Sequence, residues 1–170
     1  MKIRCRILLL LALFSGKGFS ADSVSIGVTG NIVASPCIFN GGSNSLDVNL
    51  GNIQATNMAT PGSTSDPVPF SLLFTQCPTG TQSVTVSFTG SPDPVAGANY
   101  FMNSGSATHV AIAMRDAQTG ALKGTGSSMT QTIAADRTAT MAMQASVKSI
   151  AGGATPGSIS AVVVMTMQYN

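Results

Sequence analysis

Two stretches at opposite ends of the chain alternate apolar and polar residues, the period-2 pattern of strands that bury one face. Near the start the stripe is Val24, Ile26, Val28 and Ile32, with Gly30 in its fourth place. At the end it is Ile159, Ala161, Val163, Met165, Met167 and Tyr169. Between them, short Val/Thr/Ser-rich segments are cut by glycine and proline. The pattern predicts strands at 23–38, 45–50, 67–76, 82–90, 107–116, 128–133, 138–149 and 157–169. Gly41-Gly42, Pro61-Gly62, Pro78-Thr79-Gly80, Pro92-Asp93-Pro94, Thr119-Gly120, Gly124-Thr125-Gly126 and Gly152-Gly153 supply the turns. Helix signals are almost absent, so the expected fold is an all-β sandwich of Greek-key type. No repeat and no long linker divides it.

The first residues have a different character. Met1 to Arg6 is basic, Ile7 to Phe14 is an apolar run, and small residues follow at Ser15, Gly16 and Gly18. This reads as a secretory signal peptide over residues 1–20, too short to span a bilayer as a helix of ~20 apolar residues. Cleavage after Ser20 puts Gly18 and Ser20 at the −3 and −1 places, whereas cleavage after Ala21 puts bulky Phe19 at −3. The first is preferred.

Export alters the charge. Lys2, Arg4, Arg6 and Lys17 leave with the signal, so Arg115, Lys123, Arg137 and Lys148 face six aspartates, a net charge near −2. No basic run remains to neutralise phosphates, which argues against nucleic acid and against an anionic membrane surface as partners. About 150 residues remain, enough for one domain with its own core. Only 8% of the residues are charged, and neither Glu nor Trp occurs. Such a bland surface suits a chain that lives packed against neighbours.

Cys5 also lies in the signal, leaving Cys37 and Cys77. An isolated pair in an oxidising compartment is expected to form a disulfide. It closes a loop of roughly 40 residues, worth ~4 kcal/mol in the chain-entropy account. No C-x-x-C spacing and no further nitrogen or sulfur ligand supports a redox or metal pair.

The terminal stripes raise a mechanical question. Residues 23–34 precede the first retained cysteine and must form either an ordinary first strand or a mobile arm. A flat apolar strand is usually guarded by charge or proline, and this one carries neither. Gly30 leaves a gap where a groove wall comes close. If the groove belongs to a neighbour, the arm adds a strand there by β-augmentation.

These residues carry a resemblance. Ala21 to Cys37, Leu46-Asp47-Val48-Asn49-Leu50-Gly51, Thr75-Gln76-Cys77-Pro78 and Val84 to Gly90 resemble, in order, the structural subunits of chaperone–usher pili, notably small minor subunits of the type 1 tip fibrilla. Val110-Ala111-Ile112 with Asp116 and the terminal Tyr169-Asn170 continue the match. A penultimate aromatic, Tyr169, and a glycine fourteenth from the C-terminus, Gly157, resemble that family's chaperone-recognition signature. The resemblance implies an incomplete immunoglobulin-like sandwich lacking its C-terminal strand. It implies a donor-strand extension at 21–36 and a pilin domain at 37–170. Val24, Ile26, Val28, Gly30 and Ile32 become the donor residues. Gly157, Ile159, Ala161, Val163, Met165, Met167 and Tyr169 become the acceptor strand, met first by a periplasmic chaperone and then, at an outer-membrane usher, by a neighbouring subunit's arm. The implied location is a fimbria on the bacterial surface; of the rod, tip-adaptor and terminator positions open to such a subunit, the resemblance to tip-fibrilla subunits favours the adaptor.

Other chemistry has less to stand on. His109 is the sole histidine, there is no G-x-S-x-G elbow, and nothing places Asp116 or Asp136 beside it, so no catalytic residue is assigned. Alternating Met141/Met143 and Met165/Met167 are packing residues before they are copper ligands. The aspartates are scattered, and Gly124-Thr125-Gly126 leads into no phosphate-loop helix. No metal or cofactor is expected. Tyr100 and Phe101, read as a loop, are candidates for an exposed contact in an alternative reading, a single-domain secreted adhesin. The competing expectation is that they cap the sandwich edge.

Overall fold

The alternation along the chain becomes two antiparallel sheets with their apolar faces turned toward each other. The computed structural model describes residues 22–32 and 36–170. The expected signal peptide, Ala21 and residues 33–35 of the expected extension lie outside the described residues. The chain forms two units, dividing between Asn31 and Ile32. Residues 22–31, taken alone, have no regular secondary structure and are exposed throughout.

The described residues of the second unit form nine strands: β1 (Ile38–Phe39), β2 (Val68–Thr75), β3 (Ser83–Gly90), β4 (Pro92–Asp93), β5 (Gly97–Met102), β6 (Ala111–Asp116), β7 (Ser128–Thr132), β8 (Ala139–Lys148) and β9 (Val163–Tyr169). One sheet has six strands in the order β1-β2-β8-β6-β5-β4, and the other has three, β7-β3-β9. β8 is central to the larger sheet, pairing with β2 from Val68↔Ala145 to Phe74↔Ala139 and with β6 from Ala111↔Lys148 to Asp116↔Met143.

Period 2 decides what each strand buries. Leu72 and Phe74 from β2, Val84, Val86 and Phe88 from β3, and Met141 and Met143 from β8 meet between the sheets at 1% exposure or less. Each such side chain stabilises the fold by roughly 1.5–3 kcal/mol against an exposed position. Cys37 and Cys77 are bonded, with Cα atoms 4.2 Å apart, and tie the chain ahead of β1 to the turn after β2.

Five expected strands, at 67–76, 82–90, 107–116, 128–133 and 138–149, correspond to β2, β3, β6, β7 and β8. β6 begins only at Ala111, because His109 takes a positive φ of 62° that breaks the extended run. The last expected strand, 157–169, is hydrogen-bonded as strand only from Val163 onward. Of the described residues in the 23–38 segment, only Ile38 is strand. No strand forms at 45–50, although Leu46, Val48 and Leu50 are half-buried in alternation as the pattern demands. Residues 44–53 make no backbone–backbone hydrogen bond among the described residues, so the correct face is presented without a ladder.

β4 and β5 were hidden by their punctuation. Pro92, Pro94 and Gly97 read as loop, yet they form a tight hairpin. Asp93 Oδ1 accepts from the Val95 and Ala96 amides at 2.9 and 2.7 Å, and Gly97 takes a positive φ of 84°. Phe101 is therefore no exposed contact. It is 1% exposed, packed where a Cβ on Gly90 would come within 2.8 Å of its ring, while Tyr100 is half-buried.

Candidate functional site

A nine-strand sandwich of six against three leaves one side short. β9 pairs with β3 over Val84↔Tyr169 to Gly90↔Val163 and, among the described residues, has no strand on its other edge. Among the described residues β1, at the end of the opposite sheet, pairs only with β2. Between these edges the interior is open. Two contiguous hollows of about 650 and 780 Å³ share Leu46, Asp47, Ala161, Val163 and Met165 in their walls. Together they run along one wall from Gly157 to Tyr169, with the ladderless segment around Leu46 opposite and Phe70, Leu72, Ile112 and Met114 at one end of the floor.

The wall follows directly from alternation. Ile159, Ala161, Val163, Met165, Met167 and Tyr169 all pack against the main core yet remain only half-buried, while Val162 and Val164 point outward at 78% and 59% exposure. At the far end Tyr169 stands edge-on to Phe74, centroids 6.5 Å apart, and its hydroxyl donates to Met167 Sδ at 3.5 Å. Burial pushes the Tyr169 hydroxyl above its ordinary pKa.

The near end is built differently. Residues 155–160 have no partner in β3 and are held to 103–108, largely by side chains. Asn103 Oδ1 accepts from the Ser160 amide at 2.8 Å, the Ser158 amide donates to Ser106 Oγ at 2.9 Å, and the Ser106 amide donates to Ser158 Oγ at 3.0 Å. The Thr108 amide donates to Thr155 Oγ1 at 2.9 Å. The two segments lie so close that a Cβ on Gly157 would fall 2.4 Å from the Ala107 nitrogen. Gly157 is thus demanded by the fold itself, a reason the sequence did not disclose.

The expected donor residues lie in the other unit and in the residue that joins it. Val24, Ile26, Val28 and Ile32 are exposed at 86%, 84%, 89% and 104%. Nothing lies within 4 Å of a Cβ built on Gly30, and its φ is not positive, so nothing in this structure requires a glycine there.

The family model for fimbrial proteins matches residues 26–170. The chain belongs to the fimbrial protein family. Among its relatives, the protein FimG of Escherichia coli K12 is 33% identical over 162 residues, covering 95% of this chain and 93% of that one. The S-fimbrial adhesin protein SfaS of Escherichia coli strain 536 is 33% identical over 172 residues, 99% of each chain. The crystal structure of the P pilus rod subunit PapA superposes with a TM-score of 0.64 at 22% identity, over 80% of this chain and all of that one. The open sandwich is the fold of pilus subunits.

In this fimbrial subunit the structure brings all seven expected acceptor positions onto one wall. Pattern reading missed the opposite wall at Leu46 and Leu50, and the hydroxyl staple from Asn103 to Thr108. The paired Ser104/Ser106 and Ser158/Ser160 spacings were a signal of sorts, since i, i+2 hydroxyls share one face of an extended chain. His109 is exposed, with its ring Nδ1 3.1 Å from the Gly153 carbonyl oxygen.

Proposed function

We propose that this chain is a non-enzymatic structural subunit of a bacterial surface fimbria, linked to its neighbours by donor-strand exchange. The observation that carries the reading is a complementary pair within one sequence: an unguarded apolar stripe, wholly exposed, and an apolar groove beside a free strand edge. Val24, Ile26, Val28, Gly30 and Ile32 enter the next subunit's groove. Gly157, Ile159, Ala161, Val163, Met165, Met167 and Tyr169 receive a strand from the periplasmic chaperone and later, at the outer-membrane usher, from a neighbouring pilin. Residues 1–20 direct export, 21–36 form the extension and 37–170 the pilin domain. Burying four Val/Ile side chains yields roughly 6–12 kcal/mol per junction, before the ordering cost of about 1–2 kcal/mol per arm residue. Main-chain bonds to the β9 edge add to it. A chain with both parts is an interior link, which we place among the adaptors near the fibre tip.

Gly30→Leu tests the donor role. It should leave the subunit's own fold intact and block its incorporation into surface fibres; normal fibre assembly by this variant would overturn it. The 33% identity to SfaS, named as an adhesin, favours a second reading in which this subunit also binds a receptor. Glycan binding by a monomer whose groove is filled with an arm peptide would support that reading, and absence of binding would leave the adaptor alone.

A further inference from the structure

We propose that Met165 and Met167 form an oxidation site that closes the groove to strand binding, open to peroxide before a strand docks and shielded afterwards. The proposal rests on the strand-acceptor reading of the groove. The methionines of this chain fall into three environments. Met58, Met141 and Met143 are at 1% exposure or less, and Met114 is at 8%. Met102, on β5, is 41% exposed and Met129, on β7, is half-buried, and both lie outside the groove. Met165 and Met167 are half-buried and line the 780 Å³ hollow, where water and small solutes reach them.

The chemistry needs only a peroxide. A thioether sulfur lone pair attacks one peroxide oxygen, the O–O bond breaks, and the other oxygen leaves as hydroxide, which becomes water on protonation. Sulfur loses two electrons, peroxide gains two, and the product is a sulfoxide. An apolar, flexible side chain becomes polar and rigidly dipolar, on the wall that must bury an apolar stripe. The two sulfurs are not equivalent. The Tyr169 hydroxyl donates to Met167 Sδ at 3.5 Å and engages one of its lone pairs, so Met165 reacts first. β9 carries both residues on an edge that has no partner strand among the described residues, so a docked strand shields both at once.

The test treats the chain purified from the periplasm with hydrogen peroxide, maps added oxygen by peptide mass spectrometry, and titrates a synthetic peptide of residues 21–35. Met102 and Met165 should oxidise early, Met167 more slowly, and Met58, Met141 and Met143 only on unfolding. Tyr169→Phe should raise the rate at Met167. The peptide should protect Met165 and Met167 while leaving Met102 unchanged, and oxidised protein should bind it about tenfold or more weakly. The Met165→Leu/Met167→Leu double variant, whatever its starting affinity, should bind the peptide equally before and after peroxide; if it does not fold, the protection map of the natural chain carries the test. Unoxidised protein that binds no peptide would overturn the groove reading, and this proposal with it. Binding by the unoxidised chain, with Met165 and Met167 unmodified or affinity unchanged after their oxidation, would overturn the oxidation proposal alone.

Discussion

Gly157 and Tyr169 shape the two ends of the groove by opposite means, one by having no side chain and the other by filling space with a ring. At Gly157 the backbone of Ser106 and Ala107 stands where a methyl group would go. Gly157→Ala should therefore push the two segments apart and destabilise the domain by about 1–3 kcal/mol, measured by denaturant unfolding. An unchanged midpoint would show that the segment simply moves aside. Asp116 offers a pH readout away from the groove. The Thr119 hydroxyl, donating at 2.7 Å, and then the Gln118 amide at 2.8 Å hold its carboxyl below the usual carboxylate value. A lowered folded-state pKa contributes stability above the unfolded value of about 4, lost as pH falls through the folded one. Thr119→Val should lower the melting temperature at neutral pH and flatten its fall below about pH 4. Of these residue-level facts, the alternating face of Tyr169 was legible in the sequence. The crowding at Gly157 was not, because it depends on a segment some fifty positions away.

At the scale of elements, the strands that read correctly are those whose two faces differ. β2, β3 and β8 as far as Ala145 alternate between a buried and a more open face, so pattern and ladder coincide. The segment at 45–50 alternates as well, but alternation reports which face is buried and not whether a neighbour supplies hydrogen bonds. Its ladder is missing because it lies on the open side of the sandwich. β9 is divided in the same way. Residues 163–169 are held by seven pairs to β3, whereas 157–160 are held by hydroxyls, the side chain of Asn103 and two backbone bonds from the Ser104 and Ala107 amides. Asn103→Ala together with Ser106→Ala removes the acceptors of the Ser160 and Ser158 amides and should loosen only this end. Hydrogen exchange should accelerate at the Ser158 and Ser160 amides while β9 beyond Val163 keeps its protection; uniform loss of protection would refute the division. The disulfide braces the opposite flank. Replacing Cys37 and Cys77 with alanine releases a loop of 40 residues. It should cost about 4 kcal/mol in the chain-entropy account, read as a lower unfolding midpoint.

For the whole molecule, the informative quantity is the imbalance between a six-stranded and a three-stranded sheet. A closed sandwich covers its core on both sides, but here Met165, Met167 and Tyr169 stay half-exposed beside a free edge. Such an edge is normally a hazard. We propose that a second unguarded element, the stripe from Val24 to Ile32, covers this edge in a neighbouring subunit. The sequence disclosed both stripes, and the resemblance assigned their roles. Their complementarity became physical only when the wall, floor and opposite flank of the groove took shape.

The central claim is that the domain is one strand short. Its most direct test is a thermal melt of the purified chain with and without a peptide copying residues 21–35. The account predicts a large rise in melting temperature that reverses slowly, because an occupant that binds only the folded state stabilises it. A domain already stable alone and indifferent to the peptide would contradict it, and would leave a self-contained adhesin as the better description.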